Sequence, residues 1–200
     1  MLSYFTMGLT FAFAAAIQPG PFLAYLISQT LSNGFRRTWP SAFAPLLSDV
    51  PIALVALTLL SLAPPYLLGV LQCAGGLFLL YLATAAFKAW RNFDRRATPK
   101  PAGTVLKAAG VNLLNPNPYL GWALVTGPLL LKAWHEAPAA AIALLIGFYG
   151  TMIGTTLVVL LLFASAAGLG ERANRLLVGL SALGLGTFAA YELWAGARAL

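Results

Sequence analysis

Two short stretches decide the fold of this chain: QPGPFLA at 18–24 and NPNPYLG at 115–121. Both read carboxamide, proline, turn-former, proline, aromatic, leucine and small residue. Each lies inside a long apolar run, where a proline removes a backbone donor and clashes with the preceding helical turn. The sequence therefore predicts two matching helices that are both broken near their middle.

The composition assigns the chain to a class of protein before any further motif is read. It has 200 residues, of which 60% are hydrophobic and 8% charged, with a mean hydropathy of +0.83. Soluble domains carry roughly 25% charged residues, so this chain could not cover a surface facing water. We predict one all-α integral membrane domain over residues 1–200, in contact with the lipid bilayer.

Six membrane-spanning helices are predicted, because a helical span needs about 20 apolar residues. The apolar start of the chain has no Lys or Arg before Arg36, so it is read as the first span and not as a cleaved signal peptide. Pro64 and Pro65 divide the longest apolar run. The predicted spans are 3–31, 39–62, 66–90, 105–131, 138–164 and 175–197.

The orientation follows from the basic residues. The gaps after spans 1, 3 and 5 hold 2, 6 and 2 Lys or Arg residues, whereas the opposite side holds only Lys132 and Arg198. The basic side of a membrane protein is cytoplasmic, which places both termini outside the cytoplasm. The net charge of +7 lies in these short gaps and forms no basic face, so a nucleic-acid partner is not expected.

The two broken spans cross in opposite directions on this topology. The chain is therefore predicted to be a 3+3 inverted repeat, with halves at 1–91 and 105–200 joined by a loop at 92–104. Inverted repeats with broken helices are typical of transporters, which bind their solute near the midplane where the breaks meet.

The residues at the breaks are the candidate substrate-binding set. Their prolines are expected to free the carbonyls of Ala15, Ile17, Asn112 and Leu114. Exposed helix N-termini attract anions and C-termini attract cations, so two facing breaks could hold a zwitterion. The candidate residues are Gln18, Pro19, Gly20, Pro21, Asn112, Asn115, Pro116, Asn117 and Pro118.

Asp49 is the candidate proton-coupling residue. It lies between Pro45 and Pro51 near the middle of span 2, where a charged Asp costs roughly 2.5–3.5 kcal/mol on insertion scales. No basic residue shares that depth, so Asp49 is either protonated, or faces a wet cavity or a cation, with Ser48 as a candidate hydrogen-bond partner. Glu192, near the end of span 6, is expected to reach the interface and is not assigned to the site.

No catalytic constellation, metal-ligand spacing or phosphate-binding loop is present in the sequence, so no enzyme activity, metal or cofactor is predicted. The single cysteine, Cys73, permits no disulfide framework within one chain.

An ordered set of motifs resembles the lysine exporter (LysE/RhtB) family of bacterial amino-acid efflux proteins. The motifs are Pro19-Gly20-Pro21, Asp49, Gly75-Gly76 and the stretch VNLLNP at 111–116. The resemblance covers nearly the whole chain. It implies proton-driven export of amino acids or similar small solutes across the bacterial inner membrane, with a homodimer as a candidate assembly.

Other function classes remain open at this point. The alternative is a cation or heavy-metal exporter, because freed carbonyls and Asp49 are oxygen ligands suited to hard ions. A membrane redox enzyme would need a cysteine pair, and Cys73 is alone. A membrane scaffold without transport would need the prolines only for packing.

Overall fold

The computed structural model describes residues 1–18, 20–58, 66–91, 105–167 and 171–200. All regular structure in these ranges is helical, which confirms the predicted all-helical class. In chain order the helices are α1 (Leu2–Ile17), α2 (Pro21–Asn33), α3 (Phe35–Thr38), α4 (Ala44–Thr58), α5 (Tyr66–Arg91), α6 (Val105–Leu113), α7 (Pro116–Gly121), α8 (Gly127–Glu136), α9 (Pro138–Ala167) and α10 (Glu171–Ala199). A 3₁₀ segment (Trp39–Phe43) joins α3 to α4, and a π-helical turn (Trp122–Thr126) joins α7 to α8.

Several of these helices are long and apolar enough to cross a membrane. Within the described ranges they are Phe35–Thr58, Pro138–Ala167 and Arg175–Arg198. If α1 and α2 together form one span, they add a fourth, although the two helices meet at an angle of 63°. α5 covers the residues predicted for span 3. The count of six spans stays a prediction.

Three features predicted from the sequence lie outside the described residues. They are Pro19 in the first break, the Pro64-Pro65 divider and the loop at 92–104. The segment predicted as span 4 is divided into α6, α7, the π turn and α8, so both proline-rich motifs coincide with helix boundaries.

Glycines let the helices approach one another closely. α1 packs along α9, where a β-carbon on Gly8 would collide with the carbonyl oxygen of Leu144 and one on Gly147 would collide with that of Phe5. α5 packs along α10, where a β-carbon on Gly76 would lie 2.7 Å from Leu193 Cγ. Lipid gives no hydrophobic drive for helix association, so such close contacts supply the packing energy.

We expect Gly147→Ala to destabilise the protein by about 1–3 kcal/mol, because its new methyl group has no room against the backbone of α1. Gly150 on the same helix has no atom within 4 Å of the position of a β-carbon, so Gly150→Ala is the matched control. Thermal unfolding of both variants in the same detergent measures the difference. Equal melting temperatures would contradict the close α1–α9 crossing.

Candidate functional site

A cavity of about 360 Å³ lies between the two broken regions. Its walls are largely aromatic and aliphatic, with contributions from α1, α2, α4, α6, α7 and α9. The polar groups on the wall are the carboxylate of Asp49, the carboxamides of Gln18, Asn112, Asn115 and Asn117, and the hydroxyls of Thr126 and Thr156. Among the described lining residues, Asp49 is the only one with an acidic or basic side chain.

The first break leaves an open helix N-terminus at the cavity. α1 ends at Ile17, and Gly20 is extended, with φ −166° and ψ 174°, before α2 begins at Pro21. The N–H of Ala24 donates to Gly20 O at 3.0 Å, so the N–H groups of the preceding two residues have no partner inside the helix. Within the described chain no side chain caps this end. It is therefore a place where an anionic group is stabilised.

The second break satisfies much of its own backbone. The N–H of Asn115 donates to Asn112 O at 3.2 Å, so the expectation that Pro116 leaves this carbonyl free was wrong. The Tyr119 hydroxyl donates to Leu113 O at 2.9 Å. The Asn115 side chain accepts the N–H of Asn117 at 3.1 Å and caps α7. This break therefore keeps its shape without a ligand, because side chains replace the missing helical bonds.

Asp49 is buried on α4 and is held by groups from the second half of the chain. Asn112 Nδ2 donates to Asp49 Oδ1 at 3.0 Å and to Ser48 Oγ at 2.8 Å. The Tyr149 hydroxyl donates to Asp49 Oδ2 at 3.3 Å, and the side chain of Trp122 is a further hydrogen-bonding neighbour. Ser48 itself donates to Ala44 O at 3.1 Å. Among the described residues, the side chains that hydrogen-bond this carboxyl group are all neutral.

The two breaks face each other across the cavity. A β-carbon on Gly20 would lie 3.9 Å from Asn117 Nδ2, so the turn of the first break is next to a side chain of the second. The structure thus brings together residues far apart in the sequence. Of the candidate residues, those that line the cavity are Gln18, Gly20, Asn112, Asn115, Asn117, Pro118 and Asp49.

The remaining candidates have a different placement. Pro21 and Pro116 are buried first residues of α2 and α7 and are not among the lining residues, while Pro19 lies outside the described ranges. Both helix-initial prolines occupy the position where a missing N–H costs nothing, because that N–H has no helical partner in any case.

Sequence reasoning missed Trp122 and Tyr149 as neighbours of Asp49. Trp122 begins the π-helical turn and is buried, whereas Trp134 and Trp194 near span ends are more than half exposed. π turns are frequent at functional sites, but the sequence has no signal for one. A Trp far from any span end was the available clue. The sequence offers no such clue for Tyr149, because a contact between residues so far apart in the chain leaves no local sequence pattern.

We expect Tyr149→Phe to cost about 1 kcal/mol of stability, since it removes one donor to a buried carboxylate. In an Asp49→Asn background the cost should fall, giving a coupling energy of about 0.5–1 kcal/mol in a double-mutant cycle. Tyr191→Phe, at an exposed position of α10, is the matched control. If the effects of Tyr149→Phe and Asp49→Asn are additive, the two side chains do not form a stabilising hydrogen bond.

Comparison with known protein families identifies the family of this chain. A family model described as LysE type translocator matches residues 13–192, which confirms the resemblance stated from the sequence. No curated protein and no solved structure gave a significant match. The matched region contains both breaks, Asp49 and its neighbours on α6 and α9.

Proposed function

This chain belongs to the LysE type translocator family, and from that premise we propose that it is a secondary active exporter of amino acids or similar small amphoteric solutes, driven by protons. A translocator of this family is a membrane transporter of small solutes. The proposal of proton-driven export of amphoteric solutes is supported by one observation above all: the buried side chain of Asp49 and an uncapped helix N-terminus line the same cavity.

These two groups match the two ends of an amino acid. The solute carboxylate would accept from the first-turn N–H groups of α2 at Phe22 and Leu23, both of which line the cavity. The solute ammonium would donate to Asp49, with the carboxamides of Asn112 and Asn117 completing the polar contacts. The apolar wall would take the side chain of the solute.

The same carboxylate supplies a mechanism for exchange. Asp49 can carry a proton or hold an ammonium group, but not both at once, because a protonated carboxyl no longer attracts a cation. Binding the solute from the cytoplasm would therefore release a proton, and rebinding a proton from outside would release the solute. Its ring of neutral donors suits this role, since a permanent basic partner would keep it ionised.

Helix packing supports the inverted repeat with six spans in one domain. α5 packs on α10, which pairs predicted spans 3 and 6. α1 packs on α9, pairing spans 1 and 5, and α4 packs on α6, pairing spans 4 and 2. A pseudo-two-fold axis that exchanges the halves maps the second pairing onto the third and leaves the first unchanged. Such an axis is what relates the halves of inverted-repeat transporters.

A cation or heavy-metal exporter remains the second candidate. Against it, within the described residues, no three His, Cys, Asp or Glu side chains come close enough together to hold a metal ion. Cells lacking the protein should then show unchanged metal tolerance and an altered tolerance to an amino acid or its analogue.

The central test is a binding screen followed by transport. Purified protein is heated with each proteinogenic L-amino acid in turn, and a stabilising one is labelled and loaded into proteoliposomes with an imposed pH gradient. Asp49→Asn should lower gradient-driven transport roughly tenfold or more, as expected from losing a charged hydrogen-bond partner worth about 1.5–3 kcal/mol. Gradient-driven transport that survives this substitution would remove the coupling role.

The cavity itself is tested at Gly20. We expect Gly20→Leu to fold normally, since Gly20 is extended and a β-carbon there has no near clash, but to block solute binding by filling the space towards Asn117. Gly154→Leu, on α9 with no atom within 4 Å of the β-carbon position, is the control that should bind normally. Equal binding by both variants would move the site elsewhere.

The proposed orientation places both termini outside the cytoplasm of a bacterial cell, in the inner membrane. An alkaline phosphatase fused after Leu200 should therefore be active, whereas the same fusion within 92–104 should be inactive. The reverse pattern would invert the direction of transport argued above. Cross-linking in native membranes would test the candidate homodimer.

A further inference from the structure

Glu192 on α10 is buried where an exposed side chain was expected. Only 3% of it is exposed, and its Oε2 atom has no hydrogen-bond partner in the structure. The sequence-based expectation that it reaches the interface is not met. It is also absent from the lining of the cavity, so it is not part of the site around Asp49.

Glu192 occupies an apolar position of a helix–helix seam. The buried residues of α10 repeat with alternating steps of four and three, as in a heptad seam. They are Val178, Ala182, Leu185, Ala189, Glu192 and Gly196. Glu192 is the only one with an ionisable side chain. A carboxylate in such a position costs several kcal/mol unless it is neutral or paired.

No basic side chain reaches Glu192 from the helices packed against α10. Gly76 meets Leu193 and Trp90 meets Gly179, so α5 runs antiparallel to α10 and places Arg91 beside Gly179. At 1.5 Å per residue, Arg91 lies about 20 Å from Glu192 along the seam, and Lys88 about 16 Å.

The other described titratable groups that flank this seam do not bond the Oε2 atom of Glu192. Cys73 of α5 touches Gly196, one turn from Glu192. Tyr25 of α2 is buried, has no partner for its hydroxyl and packs in the same cluster as Ala189. The only titratable side chain of α9, Tyr149, bonds Asp49, and Arg198 of α10 lies over the Trp194 ring. While the seam is closed, Glu192 has no basic partner among the described groups, so its favoured form is the protonated acid.

The seam connects Glu192 to the second break. Leu193 contacts Gly76, and the adjacent Gly75 is so close to the carbonyl of Leu114 that a β-carbon there would collide with it. Leu114 joins α6 to α7, two residues from Asn112, which holds Asp49. The turn of α10 that holds Glu192 is thus linked to the break through the two glycines of α5. Under the proposed function, a movement of Leu114 at the break would press on Gly75 and change the packing of this seam.

We propose that Glu192 is a second proton-binding residue of the transport cycle, separate from Asp49, which releases its proton when the α5–α10 seam opens and binds one again when it closes. This rests on the proposed exporter function. In each cycle the carboxylic acid gives one proton to water on one side of the membrane, and the carboxylate takes one from water on the other. Glu192 would thus couple through proton binding and not through contact with the solute.

The test starts with infrared spectroscopy of the full-length protein in lipid, which needs no solute. The wild type should show a protonated carboxylic acid C=O band that decreases as the pH is raised. Because Asp49 can also hold a proton, the variants are compared in an Asp49→Asn background. There the band should remain, Glu192→Gln should remove it, and Glu136→Gln, at an exposed position, should keep it. In this background, a band that no pH change affects, or that Glu192→Gln leaves in place, overturns the proposal.

Transport separates this proposal from the proposed function. With an amino acid found in the binding screen, Glu192→Gln should keep solute exchange but lose its acceleration by a pH gradient, and Glu192→Asp should restore part of it. Full acceleration in Glu192→Gln rejects the role of Glu192 while the exporter stands. If no amino acid is moved by the wild type, the exporter fails, and the infrared titration still decides whether Glu192 exchanges its proton. If Glu192→Gln does not fold, Glu192→Asp carries both measurements.

Discussion

The structure depends on the need to satisfy every backbone polar group that a broken helix leaves inside the membrane. An unpaired carbonyl or N–H in hydrocarbon costs several kcal/mol, so a break survives only if something replaces the lost helical bonds. At the second break the replacements are internal: the N–H of Asn115, the hydroxyl of Tyr119 and the side chain of Asn115. At the first break the N–H groups of α2 face the cavity instead. The two sequence motifs are similar, yet one is self-sufficient and the other is open to a ligand.

Under the proposed function, this difference between the two breaks would give the two halves of the chain different roles. The second half supplies a fixed frame, and through Asn112 and Tyr149 it also holds the carboxylate that belongs to the first half. Asn112 immediately precedes the second break, so a change of shape there would displace a donor of Asp49. Allosteric coupling is a free energy shared between sites, and under the proposed function it would pass through these two hydrogen bonds. A solute bound at the open break and a proton bound at Asp49 would each change the affinity for the other.

Much of this arrangement could be predicted from local sequence, and the failures have clear physical causes. The helical class, the helix boundaries at both proline motifs and the burial of Asp49 could be expected from apolar runs, prolines and the position of Asp49 inside a span. The contact between Asp49 and Asn112 bridges two helices, and no periodicity indicates which side chains meet across such a distance. The carbonyl of Asn112 was expected to be free because helical bonding was the only partner considered, whereas a tighter turn to Asn115 satisfies it. The exposure of Glu192 was predicted wrongly because its nearness to the end of span 6 suggested the membrane interface, whereas its position in the buried stripe of α10 determines its surroundings.

The π-helical turn at Trp122–Thr126 sets the rotational register of α8, the helix that follows it. Gly127 N–H bonds back to the carbonyl of Trp122, five residues earlier, so this turn contains one residue more than an α-helical turn. One residue corresponds to about 100° of rotation about the helix axis. Everything that follows, from Gly127 to Glu136, is therefore turned by that angle relative to α7. Deleting a single residue here would leave the composition and hydropathy almost unchanged, yet it would rotate α8 by about 100° and turn its present contact face away from α9.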